Sequence, residues 1–306
     1  MIAQWLFALV VLAFVVRGLY TQWSKVRDGL ASLDIRWTPV LLASVIVLAV
    51  YALLIQAWRR MLAEWDTKLT YGTAARIWFG AGLGKYIPGY VWSLTAMGVM
   101  ARERGASPVA AAGSSLVINI LTIGSGAALA LLCGTGLIPN PVVAGLVMIG
   151  IVAAAASAPY LLPVLGKVAS RVTGRVIEVP QISPSVVWLL LAWTAVAWVG
   201  YGVAYQLFAI GLLGSSADHY RVVHAPLLFI AVYTASYIAG LIAPTPAGLG
   251  VREAWLYEGF KQLHMMSASD AVIVAFASRL WLTVLEVVPG LVALAIHQLS
   301  HRTRSA

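Results

Sequence analysis

The twelve residues Pro244-Thr-Pro-Ala-Gly-Leu-Gly-Val-Arg-Glu-Ala-Trp255 combine helix breakers, permissive backbone and charge within one short stretch. Prolines stop an incoming helix, and Gly248 and Gly250 allow tight turning. A new helix then starts with Arg252 and Glu253 in its early turns. Its N-terminus offers free N–H groups and the positive end of a helix dipole. With the Arg252 guanidinium added, the pattern suits a phosphate. An earlier stretch, Gly82-Leu-Gly-Lys-Tyr-Ile-Pro-Gly-Tyr-Val-Trp92, has the same design, with Lys85 as its cation, Tyr86 beside it and Pro88 as a helix starter. The plainer alternative is that the glycines serve close helix packing while the charges reach a headgroup region.

Arg279 and Glu286 stand within a long apolar run. A charge at a membrane centre costs roughly 2.5–3.5 kcal/mol on insertion scales, so it needs a partner or a task. A spacing of seven puts the two on one helix face but about 10 Å apart along the axis, which makes a mutual ion pair awkward. Cross-pairing with Glu253 and Arg252 fits better, and the four charges then form either a structural network or a gate coupled to substrate or protons. Asn119 is expected to bond to a neighbouring helix. Histidines 219, 224, 264, 297 and 301 read as loop, interface or span-end residues, and the lone Cys133 as a small packing residue. No HExxH, CxxC or Walker loop occurs, so no metal, cofactor or ATP hydrolysis is expected.

The elements that must position these groups follow from composition. Of 306 residues, 61% are hydrophobic and 10% charged, against about a quarter charged in ordinary soluble domains. A soluble chain could not cover so much apolar surface, which excludes a cytosolic enzyme, a nucleic-acid-binding domain and a disordered tail. The fold class expected is an all-α polytopic membrane protein forming a single transmembrane domain over 1–306. About 20 apolar residues span the hydrocarbon core. Ile2–Tyr20, Pro39–Trp58, Pro108–Cys133, Pro141–Leu162, Val186–Leu213 and Ala271–His297 meet that length, giving about six full spans.

Tyr71–Met100 and Ala225–Phe260 are apolar but interrupted by the two motifs. Freed backbone groups at such breaks are tolerated only inside protein or beside a water-filled cavity. Both stretches therefore read as re-entrant helical hairpins, with one kinked span each as the alternative. Eleven basic residues (Arg59, Arg60, Lys68, Arg76, Arg102, Arg104, Lys167, Arg171, Arg175, Arg302 and Arg304) fall on one side. Six fall on the other: Arg17, Lys25, Arg27, Arg36, Arg221 and Lys261. The richer side is taken as cytoplasmic, with both termini there. The net charge of +9 then reflects cytoplasmic loops and anionic lipid rather than nucleic acid.

Gly82-Leu83-Gly84 matches Gly248-Leu249-Gly250, and Ala106-Ser107 matches Ala268-Ser269. The unit span, broken hairpin, span occurs over about 39–133 and again over about 186–297. Three crossings separate the starts of the two copies, so they have opposite topology. Inverted repeats built on discontinuous helices are a transporter architecture with binding near the midplane.

GLGKYIPGYVW and PTPAGLGVREAW resemble the signature segments of the lysylphosphatidylglycerol synthase transmembrane-domain superfamily, also called the flippase-like domain family. It includes the membrane module of the multiple peptide resistance factor. The resemblance covers nearly the whole chain and implies a helical flippase-like fold with Lys85, Arg252 and Glu253 at motif positions. It implies handling of a lipid with a polar headgroup, such as an aminoacylated phospholipid or a polyprenyl-phosphate-linked sugar. The sequence shows no cytosolic aminoacyl-transferase domain of the full synthase, so the expectation is transport without lipid lysylation. The leading expectation is a lipid flippase of the bacterial inner membrane that binds an anionic headgroup through Lys85, Tyr86, Gly248, Gly250, Arg252 and Glu253. Arg279 and Glu286 would gate or couple it. The alternatives are an integral membrane enzyme with Glu253 or Glu286 as general base, and a membrane partner of an envelope glycosyltransferase or synthase.

Overall fold

A computed structural model describes residues 34–86, 91–134, 140–173, 181–219, 225–243 and 245–305. The expected span Ile2–Tyr20 lies outside the described residues, as do Pro88 and Pro244. The described residues form nine α-helices. They are α1 (Trp37–Glu64), α2 (Tyr71–Gly82), α3 (Val91–Arg102), α4 (Pro108–Cys133), α5 (Pro141–Thr173), α6 (Pro184–Leu213), α7 (Pro226–Ile242), α8 (Val251–Gln262) and α9 (Ala268–Ser305). Short 3₁₀ turns at Leu83–Tyr86 and Pro246–Gly248 form the tips of the α2–α3 and α7–α8 pairs.

Among the described residues, four stretches are long and apolar enough to cross a membrane: α1, α4, α6 with its 3₁₀ extension to His219, and Ala268–Ala293 of α9. The chain is a multi-pass membrane protein. Local chemistry sets several helix starts. Ser107 accepts a hydrogen bond from the Ala110 N–H, with Pro108 in the first turn, so α4 begins where the sequence predicts. Thr70 does the same for α2, and Ser267 accepts from the Asp270 N–H at the head of α9.

Three elements outrun their predicted bounds: α1 continues past Trp58 to Glu64, which puts Arg59 and Arg60 on a helix. α5 continues past Leu162 to Thr173, so Lys167 and Arg171 lie on a helix rather than in a loop. Its 33 residues extend about 50 Å at 1.5 Å per residue, longer than a hydrocarbon core of about 30 Å. α9 runs beyond His297 to Ser305 in the same way.

α1 and α6 pack along their length in antiparallel fashion. The Arg36 N–H donates to the Gly211 carbonyl at 2.8 Å, Gly200 packs against Val50, and the Ser183 N–H and hydroxyl both donate to Glu64 at the far end. Apart from the packing of α5 on α4, several further contacts pair the two halves. α4 packs on α3 and on α7, whereas α9 packs on α8 and on α2; the two 3₁₀ tips touch each other. Exchanging α1–α4 for α6–α9 thus maps these contacts onto one another.

The apolar core has two parts. One gathers the second half of α1, the first hairpin and the first half of α4 around Trp58, Met61 and Leu121. The other joins the first half of α1, the second half of α6, α7, α8 and α9 around Tyr205, Phe229 and Phe260. Each hairpin therefore leans on its own apolar cluster, and the tips face one another between the two.

The tips need glycine for steric reasons. A Cβ on Gly84 would come within 2.7 Å of the Ser93 backbone nitrogen, and one on Gly248 within 2.7 Å of the Gly240 backbone. Gly248 also has a φ of +70°, a left-handed conformation that costs an L-residue about 1–2 kcal/mol. Gly248→Ala should therefore lower the melting temperature of the purified protein, whereas Gly82→Ala, where a Cβ meets nothing within 4 Å, should leave it unchanged. Equal melting curves for the two variants would refute this account of the tip.

Candidate functional site

The second tip is wound tightly, with φ values of +49° at Ala247, +70° at Gly248 and +84° at Gly250. Ala247 is not a glycine, so its left-handed backbone must be held by its surroundings. Arg279 of α9 supplies the hold: its Nη2 donates to the Ala247 carbonyl at 2.9 Å. Its Nε lies 3.8 Å from Glu253 Oε1, and Glu253 Oε2 accepts from the Gly250 N–H at 2.6 Å. Arg279 and Glu253 are 8% and 3% exposed, so this pair is sealed inside the protein. It fastens the turn to the last helix and occupies the free N–H of Gly250 at the start of α8.

The first tip is fastened to the same helix two turns further on. Glu286 pairs with Lys85 at 2.5 Å, accepts from the Tyr86 hydroxyl at 2.7 Å and from the Tyr51 hydroxyl of α1 at 3.1 Å. The two charges of α9 thus divide the work: Arg279 holds one tip and Glu286 the other.

This arrangement corrects half of the expected cross-pairing. Arg279 does meet Glu253, but Glu286 is paired with Lys85 rather than Arg252. The physical reason is reach. Seven residues of helix separate Glu286 from Arg279, which brings it to the first tip while Arg279 sits on the second. Arg252 instead lies over two aromatic faces, with its guanidinium carbon 4.8 Å from the Tyr237 ring centre and 5.6 Å from that of Tyr233. Gly240 makes room for it, since a Cβ there would meet the Arg252 stem at 2.3 Å. Among the described residues, no carboxylate lies within 4 Å of the Arg252 side-chain nitrogens.

A cavity of about 230 Å³ lies between the tips. Lys85, Tyr86, Gly248, Arg252, Arg279 and Glu286 line it, so six of the eight expected site residues share one chamber. Gly250 and Glu253 are not on its wall; they brace the turn behind it. Thr245, Thr283, Ser93 and Asn119 add polar groups to the wall, and the Thr245 hydroxyl is buried without a hydrogen-bond partner. Asn119 therefore faces this chamber, contrary to its expected role as an interhelical bond.

Apart from Tyr86, the tyrosines around the chamber carry no sequence expectation. Tyr51, Tyr201 and Tyr237 line it, and Tyr201 stacks on Tyr233 with ring centres 5.5 Å apart. A signal was present. Tyr233 and Tyr237 are four apart and Trp198, Tyr201 and Tyr205 three and four apart, which places each set on one helix face. Cys133 is buried and free, as its apolar setting suggests.

The charge balance follows from these pairings. Three cations (Lys85, Arg252 and Arg279) face two carboxylates (Glu253 and Glu286), and the two ion pairs leave the charge of Arg252 in excess. A half-buried positive charge held by aromatic rings beside an open chamber attracts an anion.

The fold and chamber define an all-helical multi-pass membrane protein whose central site is built from two broken helical pairs. The family model described as the lysylphosphatidylglycerol synthase TM region matches residues 1–290, and the chain belongs to that family. No curated protein and no solved structure gives a match.

Because Lys85 and Glu286 compensate each other, removing one should cost more than removing both. Glu286→Gln leaves an unpaired ammonium and should destabilise the protein by up to about 3 kcal/mol, with Lys85→Met/Glu286→Leu milder than that. A double-mutant cycle on thermal unfolding reads the coupling. Additive losses would show that the pair is not energetically linked.

Proposed function

We propose that this protein is a lipid flippase, moving a lipid with an anionic headgroup across the bacterial inner membrane by alternating access. The observation that carries the reading is Arg252, a guanidinium without a carboxylate partner on the wall of a chamber at the hairpin tips. A phosphate entering there would neutralise it and gain charge-assisted hydrogen bonds. Lys85, already engaged by Glu286, lines the same chamber. The acyl or prenyl chains would stay in lipid while the headgroup occupies the cavity.

The two hairpins act as re-entrant elements, and the halves 39–133 and 186–297 as inverted repeats. The antiparallel packing of α1 with α6 and the reciprocal contacts of α4 with α7 and α9 with α2 support that symmetry. Rocking of one repeat against the other would open the chamber to each side in turn. Arg279 and Glu286 then serve as the gate, since α9 holds both tips and must let go of one for the chamber to change its access. Both termini are placed in the cytoplasm on the positive-inside rule. The substrate is a phospholipid, an aminoacylated phospholipid or a polyprenyl-phosphate-linked sugar, and an envelope glycosyltransferase or synthase is the expected working partner.

Reconstitution of the pure protein in liposomes with labelled lipids tests the reading. The expected result is headgroup translocation without chemical change, with Arg252→Gln losing about tenfold or more of the rate and Arg252→Lys retaining part of it. Product formation in place of translocation would make the protein a membrane enzyme. Full activity of a well-folded Arg252→Gln protein would remove the site.

A further inference from the structure

The charge balance of the chamber narrows the lipid. We infer that the headgroup bound between the tips is a phosphodiester carrying a single negative charge, whose remaining part is uncharged and hydroxylated. The inference rests on the flippase reading above and deepens it.

Both carboxylates near the chamber are already committed. Glu286 takes Lys85, Tyr86 and Tyr51 on its two oxygens. Glu253 takes Arg279 and the Gly250 N–H, and it does not reach the wall. What remains is one guanidinium, Arg252. In surroundings of low dielectric a bound group is best tolerated when the whole site becomes neutral. One phosphodiester does this. A phosphate monoester, with a charge of about −1.5 to −2 at neutral pH, leaves surplus negative charge, and a pyrophosphate leaves more.

The same accounting bears on what is attached to the phosphate. An ammonium in the headgroup, as in an aminoacylated phospholipid, would bring a further cation into a chamber where the described residues offer no free carboxylate. Several of the tyrosine faces that could hold an ammonium are already engaged: Arg252 lies over Tyr233 and Tyr237, Lys85 over Tyr86, and Tyr201 is stacked on Tyr233. The uncommitted groups on the wall are neutral: the Thr245 hydroxyl, buried without a partner, and the Asn119 amide. Hydroxyls of a glycerol or a sugar can both donate to and accept from such groups. At about 230 Å³ the chamber is just below the range of drug-sized ligand sites, which suits one small headgroup. Phosphatidylglycerol and a polyprenyl-phosphate-linked hexose share this chemistry.

Binding to the purified full-length protein in detergent decides the matter, with tryptophan fluorescence as the readout. The probes are short-chain phosphatidylglycerol, phosphatidic acid, phosphatidylethanolamine, lysylated phosphatidylglycerol and a short polyprenyl phosphohexose. At least one of the two neutral-headgroup diesters should bind about tenfold or more tighter than the monoester and both amine lipids. Which of the two binds tells the glycerolipid source from the polyprenyl source. Arg252→Gln should erase the preference, and Asn119→Asp, which adds a carboxylate to the wall, should shift it toward the amine lipids. Tighter binding of the lysylated lipid or phosphatidic acid by the native protein overturns the inference and leaves the flippase reading standing. Absence of binding by every lipid overturns both.

Discussion

The central constraint on this molecule is the cost of holding charge in a low-dielectric interior. Lys85, Arg252, Glu253, Arg279 and Glu286 all stand in segments where hydrocarbon or packed protein replaces water. Each must find a counter-charge, a hydrogen bond or an aromatic face. The structure meets the demand by bringing the interrupted parts of the chain together. α9 carries one acid and one base two turns apart, and each fixes the tip of a different hairpin. Without these pairs the left-handed turn at Ala247–Gly248 would lack its anchor and the freed carbonyl of Ala247 its donor.

Close backbone approach at the tips is the second condition. Gly84 and Gly248 each leave space that a Cβ would fill. Gly240 lets the stem of Arg252 pass, so that its guanidinium reaches the tyrosine faces. The apolar clusters on either side then hold each hairpin, and the chamber is what remains between the tips. Packed helices surround a small space whose walls come from the two hairpins, from α9 and from residues of α1, α4 and α6 such as Tyr51, Asn119 and Tyr201. The Lys85–Glu286 and Arg279–Glu253 pairs tie the two hairpin tips to one helix.

Much of this was legible from residue types and spacing. A chain with 61% hydrophobic residues has to lie in a membrane, and the start of α4 follows from Ser107 and Pro108. The breaks at both motifs fall at their glycines, Gly84 in the first and Gly248 and Gly250 in the second. Lys85, Tyr86, Gly248, Arg252, Arg279 and Glu286 do share a chamber. Asn119 and the tyrosines were less visible, because an aromatic at helical spacing in an apolar run looks the same whether it packs a core or lines a cavity. The extension of α5 was hidden for a related reason: hydropathy ends where lipid ends, whereas a helix continues as long as its backbone bonds are made.

What the sequence determines by itself is the solvent, the helical class, the positions of the breaks and the set of charges too costly to be idle. These are local or compositional properties, set by backbone freedom, hydropathy and single-residue transfer energies. Only the tertiary structure decides who pairs with whom. Helical spacing showed that Arg279 and Glu286 could not easily pair with each other, but their partners come from segments about 25 to 200 residues away. Their choice depends on how the hairpins meet α9. That geometry gives Glu286 to Lys85, Glu253 to Arg279, and leaves Arg252 among tyrosines, because a charge buried in folded protein settles with whatever the packing brings within reach.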